Sequence, residues 1–329
     1  MTLKAGPESA GDLLWAASES PLQADTAASE KGMACLPWCA KMRIHGRTEL
    51  GCPVDGNLQR AEGVGRLALV GAKSGNRLVD LFQRPPIHIM FPSSTAKAFQ
   101  EAVLVNSMGG IAGGDHLELH VRAHDNARIS VSSQAAEKVY RALSTPARVS
   151  TSLTVGESAQ LAWLPQETIL FNGARLVRSM EVELSTGSEL LALEWLILGR
   201  AAYGEKLVAG QLSDTWRVRR DGRLVWVDRF RVTDEVMPFL GRDALLGDSS
   251  AIGTLIYSGP HLEARLECVR EVIARLQCRA AVTLIAGLIV VRVAARAAAD
   301  LKRALQNLIR HFGHHRKPGP FAVPKMWSC

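Results

Sequence analysis

The chain has 329 residues, 47% of them hydrophobic and 22% charged, enough to bury a sizeable core in one large domain or two small ones. A net charge of +7 favours an acidic partner or surface, but the basic residues are scattered singly and aromatics make up only 5%. That excludes the basic stripe with interleaved aromatics that marks nucleic-acid binding.

Residues 1–60 are rich in Ala, Ser, Gly and Glu without steady periodicity, and read as a poorly ordered leader. From there to residue 329 the texture is that of a β-rich domain. Residues 66–70 and 77–82 form short strands around a Gly71/Gly75/Asn76 turn, and Pro85-Pro86 ends the second. An extended piece follows over 87–91. Residues 102–106 and 117–123 then form a hairpin-like pair around a glycine-dense turn containing Gly109, Gly110, Gly113 and Gly114 and ending on Asp115. In the second of these strands Leu117, Leu119, Val121 and Ala123 share one face, and His116, Glu118, His120, Arg122 and His124 the other. Further strands are expected over 128–133, 150–155, 159–164, 168–171, 179–184, 189–198, 216–219, 223–227 and 230–232, with Asp221-Gly222 as a hairpin turn. The apolar run 280–291 is too short to span a bilayer and reads as a buried strand. It lies between two segments of helical spacing, 261–277 and 297–312. The expected fold is mainly β, a large sandwich-like body of many short strands with two C-terminal helices.

The chemistry-bearing patterns are few. The glycine turn lacks the Lys-Ser/Thr ending of a phosphate loop and leads into a strand, not a helix, so it serves either as a tight structural loop or as a device that aims Asp115. Ser94-Thr95-Ala96-Lys97 has the Ser-x-x-Lys spacing of β-lactamase-like enzymes but no accompanying Lys-Thr-Gly, and Gly247-Asp248-Ser249 is no nucleophile elbow. His116, His120 and His124 with Glu118 are good ligand types for nickel or zinc, but alternate strand residues lie roughly 7 Å apart, and a solvated polar face accounts for them. The six cysteines read as free thiols in a reducing cytosol. Glu194 is the sharper lead. It sits in Leu190-Leu191-Ala192-Leu193-Glu194-Trp195-Leu196-Ile197-Leu198, apolar on both faces, so its carboxylate needs a partner or a ligand. Arg200 and Lys206 are the candidate partners, and Glu205 adds a second acid nearby.

Several blocks together resemble the urease accessory protein family UreD (UreH in some organisms). They are Val105-Asn106 with the glycine turn to Asp115, residues 132–141 (SSQAAEKVYR), residues 164–171 (LPQETILF) with Gly173-Ala174-Arg175, and Glu194 with Leu198-Gly199-Arg200 and Gly204-Glu205. The tail adds residues 287–292 (GLIVVR) and Pro324-Lys325-Met326-Trp327. The order and spacing of the blocks span residues 64–328. Ser132-Ser133 stand where the family commonly has threonines, Lys325 where it has arginine, and Met108 where it has a small residue. The resemblance implies a cytoplasmic accessory protein and not an enzyme, one that binds the urease apoprotein and the accessory protein UreF, which recruits the GTPase UreG. It also implies a water-filled passage through which Ni²⁺ travels. No tightly bound cofactor, nucleic acid or membrane enters this picture. Such a passage needs oxygen ligands at intervals, none strong enough to trap the ion. Asp115, Ser132, Ser133, Gln134, Glu137, Glu167, Glu194 and Glu205 are the residues expected to line or brace it. The competing readings are a β-rich hydrolase and a binding module unrelated to urease.

Overall fold

A computed structural model describes residues 60–73, 75–92, 99–313 and 320–328. Residues 1–59 of the leader and the Ser94–Lys97 pattern lie outside the described residues.

The chain opens with two antiparallel pairs, β1 (Glu62–Ala72) with β2 (Gly75–Arg84) and β3 (Ile87–Met90) with β4 (Gln100–Asn106). Then β5 (His116–Ala123), β6 (Arg128–Ser133), β8 (Ala147–Val155), β9 (Gln160–Leu164), β11 (Arg175–Leu184), β12 (Glu189–Leu198) and β13 (Gln211–Arg220) follow, with the short β7 (Glu137–Val139) and β10 (Thr168–Leu170) between them. The last part comprises β14 (Arg223–Val232), β15 (Ala251–Ser258), helix α1 (Leu262–Ala274), β16 (Arg279–Ile285), β17 (Leu288–Ala295) and helix α2 (Ala298–Gly313).

The strands form two sheets. One has the order β14-β13-β11-β8-β5-β1-β2, the other β16-β17-β15-β12-β9-β6-β4-β3, with β10 and β7 attached beside β12. From β4 to β13 the chain alternates between the sheets, and each long strand pairs in parallel with the strand one circuit earlier: β5–β8–β11–β13 in the first sheet, β4–β6–β9–β12 in the second. The body is thus a two-sheet parallel coil, closed at its ends by antiparallel strands. Residues 102–106 and 117–123 are consequently not a hairpin. The glycine turn carries the chain from one sheet to the other, and the two strands pair within their own sheets, not with each other. Period-2 alternation establishes a strand and its buried face but is silent about the neighbour.

The buried-strand reading of 280–291 also needs correction. Ala286 and Gly287 have φ of 51° and 74° and make a tight turn, so the run is a hairpin of β16 and β17. Strand β16 lies at the sheet edge with alternate residues exposed, while β17 is covered. Strand β15 and the short β7 are not among the expected strands, although Thr254, Leu255, Ile256 and Tyr257 in β15 favour an extended chain. Both expected helices form, and α2 buries Leu301, Ala304, Leu305, Leu308, Ile309 and Phe312 as one stripe.

Two apolar cores result. The first fills the space between the sheets; the second lies between the outer face of the second sheet and the helices. Strand β12 is apolar throughout because it serves both. Leu190, Ala192 and Leu196 belong to the first core, and Leu191, Leu193, Trp195 and Ile197 to the second. Glu194 takes the phase of the first set, so its carboxylate points between the sheets.

Candidate functional site

The inter-sheet space is not filled evenly. A cavity of about 240 Å³ opens between the sheets, with Leu119, Thr151 and Arg178 on one wall and Ser133, Trp163 and Glu194 on the other. A second cavity of about 430 Å³ is walled by Asp214, Trp216, Asp228, Thr254, Arg279 and Arg292 among others. Arg178 and Glu194 are the residues common to both linings.

The strand geometry explains how a charged cluster comes to be buried there. Along β11 the inward phase reads Leu176, Arg178, Met180, Val182, Leu184, and along β13 it reads Leu212, Asp214, Trp216, Val218. The parallel register sets Arg178 directly beside Asp214. Nε and Nη2 of Arg178 donate to Oδ1 and Oδ2 of Asp214 at 3.1 and 2.6 Å, a bidentate fork. Nη1 crosses to the second sheet and donates to Oε2 of Glu194 at 2.5 Å and to Oγ1 of Thr168 at 3.2 Å. Oε1 of Glu194 accepts from Nε1 of Trp163 at 2.9 Å. Burial opposes the charge on Arg178, but Asp214 and Glu194 more than offset it and hold the guanidinium protonated. Burial pushes the Glu194 carboxyl up, against Arg178 and Trp163, which lower it. The expectation that Glu194 is shielded holds, but its partner is Arg178. Arg200 is engaged by Glu205 instead, at 2.5 Å. Sequence proximity suggested Arg200; cross-sheet pairing decided otherwise.

Glu137 is the other acid on the first cavity. Both its oxygens accept from Nδ2 of Asn106 at 3.1 Å, and burial raises its carboxyl to about 7. Ser133 and Gln134 also line this cavity. The Ser133 hydroxyl donates to the Ala135 carbonyl and accepts from the Gln166 N–H. Ser132 is buried in β6, outside the lining. Glu167 lies beside Glu137 through a backbone hydrogen bond, and its Oε2 is buried without a hydrogen-bond partner, but it too is outside the lining.

Two expected residues stand elsewhere. Oδ1 of Asp115 accepts from the Ala61 N–H at 2.9 Å and Oδ2 from the Ala112 N–H at 2.7 Å, so the carboxylate brackets the glycine turn against the start of β1. Glu205 lies on the loop after β12, its carboxyl held low first by the hydrogen bond from Arg200 and also by the Asn172 N–H. His116 and His120 flank Glu118 at 3.4 and 3.8 Å on the half-exposed face of β5. Among the described residues no group of three or more His, Cys, Asp or Glu is arranged to hold a metal ion. No described helix is long and apolar enough to cross a membrane.

Residues far apart in the chain converge on the first cavity. Asn106 and Gly109 come from the glycine turn, Ser133 to Lys138 from the next segment, Gln166 and Thr168 from a third, and Glu194 from β12. Gln166 also donates to the Met326 carbonyl, and Nε1 of Trp327 to the Leu164 carbonyl, which ties the C-terminal turn to the same wall. A family model described as UreD urease accessory protein matches residues 61–328. This chain belongs to the UreD family. It is 40% identical over 270 residues to the urease accessory protein UreD of Rhizobium johnstonii, covering 82% of this chain and 96% of the relative. Over 272 residues it is 39% identical to that of Mesorhizobium japonicum, covering 82% and 95%. With the protein of the same name from a Methylobacterium strain it shares 37% over 278 residues, covering 82% and 95%.

Sequence reasoning missed Arg178, Asp214, Thr168 and Asn106 in this UreD member. A signal for the first two was present: a charged residue sits in phase with inward apolar ones in 176–184 and again in 212–218. Such residues are buried only when paired, so each predicts a partner of opposite sign.

Proposed function

We propose that this chain is a non-enzymatic scaffold for urease metallocentre assembly and that Ni²⁺, as its cargo, passes between its two sheets. It docks on the urease apoprotein and on UreF, which brings UreG. The observation that carries this reading is the cavity between the sheets, whose mostly apolar walls carry two carboxylates, Glu137 and Glu194, and several hydroxyl and amide groups. Carboxylate oxygens bind Ni²⁺, but each of these is already satisfied by Asn106 or Arg178, so capture is weak and reversible. Glu137, with a carboxyl near 7, exchanges a proton for a cation at little cost around neutrality.

The test is co-expression of the full chain with urease subunits and the UreF- and UreG-type proteins, followed by co-purification and nickel analysis of the urease. Association is expected. Glu137→Gln and Glu194→Gln should each lower nickel per urease several-fold while the complex still assembles. Full nickel occupancy with both variants would remove the passage; absence of any association would remove the scaffold.

A further inference from the structure

Arg178 and Glu194, bonded to each other across the sheets, stand in the walls of both cavities. Leu or Met in the same phase of β11 would fill that wall without desolvating three charges, a cost of several kcal/mol per ion. The bonds of Arg178 are also unequal. Asp214 holds it by two parallel hydrogen bonds from the same sheet, at neighbouring positions of one ladder. Glu194 holds it by one, from the opposite sheet. The second cavity is lined by Arg178, Glu194 and Asp214 alike, so open space adjoins the Arg178–Glu194 bond while the fork to Asp214 is already closed. The other cations there are already engaged: Arg292 by Asp228 at 2.6 Å, and Arg279 by the Leu246 carbonyl and the Ser249 hydroxyl.

We propose that the bridge from Arg178 to Glu194 closes the passage, and that a divalent cation opens it by taking Glu194 while Arg178 stays on Asp214. This inference takes the passage proposed above as its frame and adds its gate. The exchange is one of ligands only. The Nη1–Glu194 hydrogen bond breaks, a metal–carboxylate bond forms, and Arg178 keeps its proton and its fork to Asp214. The selectivity follows from the same balance. A monovalent cation gains too little from one carboxylate to displace a hydrogen-bonded guanidinium, whereas a divalent ion of the later transition series gains more.

The test is a titration of the purified full-length chain with Co²⁺, read by its visible d–d absorption and by competition with Ni²⁺. Arg178→Met leaves Glu194 and Asp214 without their cation, so Co²⁺ affinity should rise about tenfold or more over the wild type. Adding Glu194→Gln to Arg178→Met should abolish that gain. Arg178→Lys keeps the charge but loses the fork, and should give a smaller gain of the same origin in a chain that still folds. Unchanged affinity in Arg178→Met, or in Arg178→Lys should the first variant not fold, overturns the gate, as does a gain that survives Glu194→Gln. Cobalt binding is read without urease, so a gain here alongside undiminished nickel delivery in Glu137→Gln and Glu194→Gln would uphold the exchange and sink only the nickel passage.

Discussion

Glu137 illustrates how burial sets chemistry at a single residue. Desolvation lifts its carboxyl from 4.5 to about 7 even though Asn106 donates to both oxygens. Between those values the folded chain binds more protons than the unfolded one, so stability falls as pH rises through that window and levels off above it. The loss is of order 1–3 kcal/mol. Glu137→Gln should flatten the pH dependence of the urea midpoint between pH 5 and 7 and raise it at pH 8; a parallel curve would place the titration elsewhere. Asp115 has a structural part. Its carboxylate accepts one backbone N–H on each oxygen, so Asp115→Asn puts a donor against one of them. That should cost about 1–3 kcal/mol in urea unfolding without touching the cavity. The sequence disclosed where Asp115 sits, at the end of a glycine turn, but not that the turn folds back on it.

The glycine turn connects sheets, and its glycines do different work. A Cβ on Gly113 would meet the Ala142 Cβ at 2.5 Å and the Thr145 carbonyl oxygen at 2.6 Å. Gly109 has φ of 69° with nothing within 4 Å of the site a Cβ would take. Gly113→Ala should therefore destabilise by about 1–3 kcal/mol through overpacking, and Gly109→Ala by no more than about 1 kcal/mol through backbone strain alone. Paired thermal melts check this; equal losses would mean that the loop relaxes around the added methyl. At this scale the sequence also misled over residues 280–291, where Gly287 breaks an apolar run into two strands. An unbroken apolar stretch looks the same whether the chain continues or doubles back.

Across the whole molecule the two cores divide the labour. The inter-sheet core carries the two cavities and the Arg178–Asp214–Glu194 cluster, and the helix layer braces the second sheet from behind. Leu308, fully buried in the helix layer, lines neither cavity between the sheets. Leu308→Ala should cost about 2–5 kcal/mol in urea unfolding yet leave the Co²⁺ affinity of the native chain unchanged. A shift in that affinity would show that the helix layer sets the spacing between the sheets.

Strand content, the two late helices, the burial of Glu194 and the inward phases of Arg178 and Asp214 were all present in the sequence, because each depends on a period of two or of 3.6 within one segment. The tertiary structure alone decided that the strands wind as a parallel coil, that Glu194 meets Arg178 and not Arg200, and that two cavities share that pair as a wall. Those facts depend on which strand lies one circuit away and what faces it across the sheets, a distance in space that no local pattern encodes.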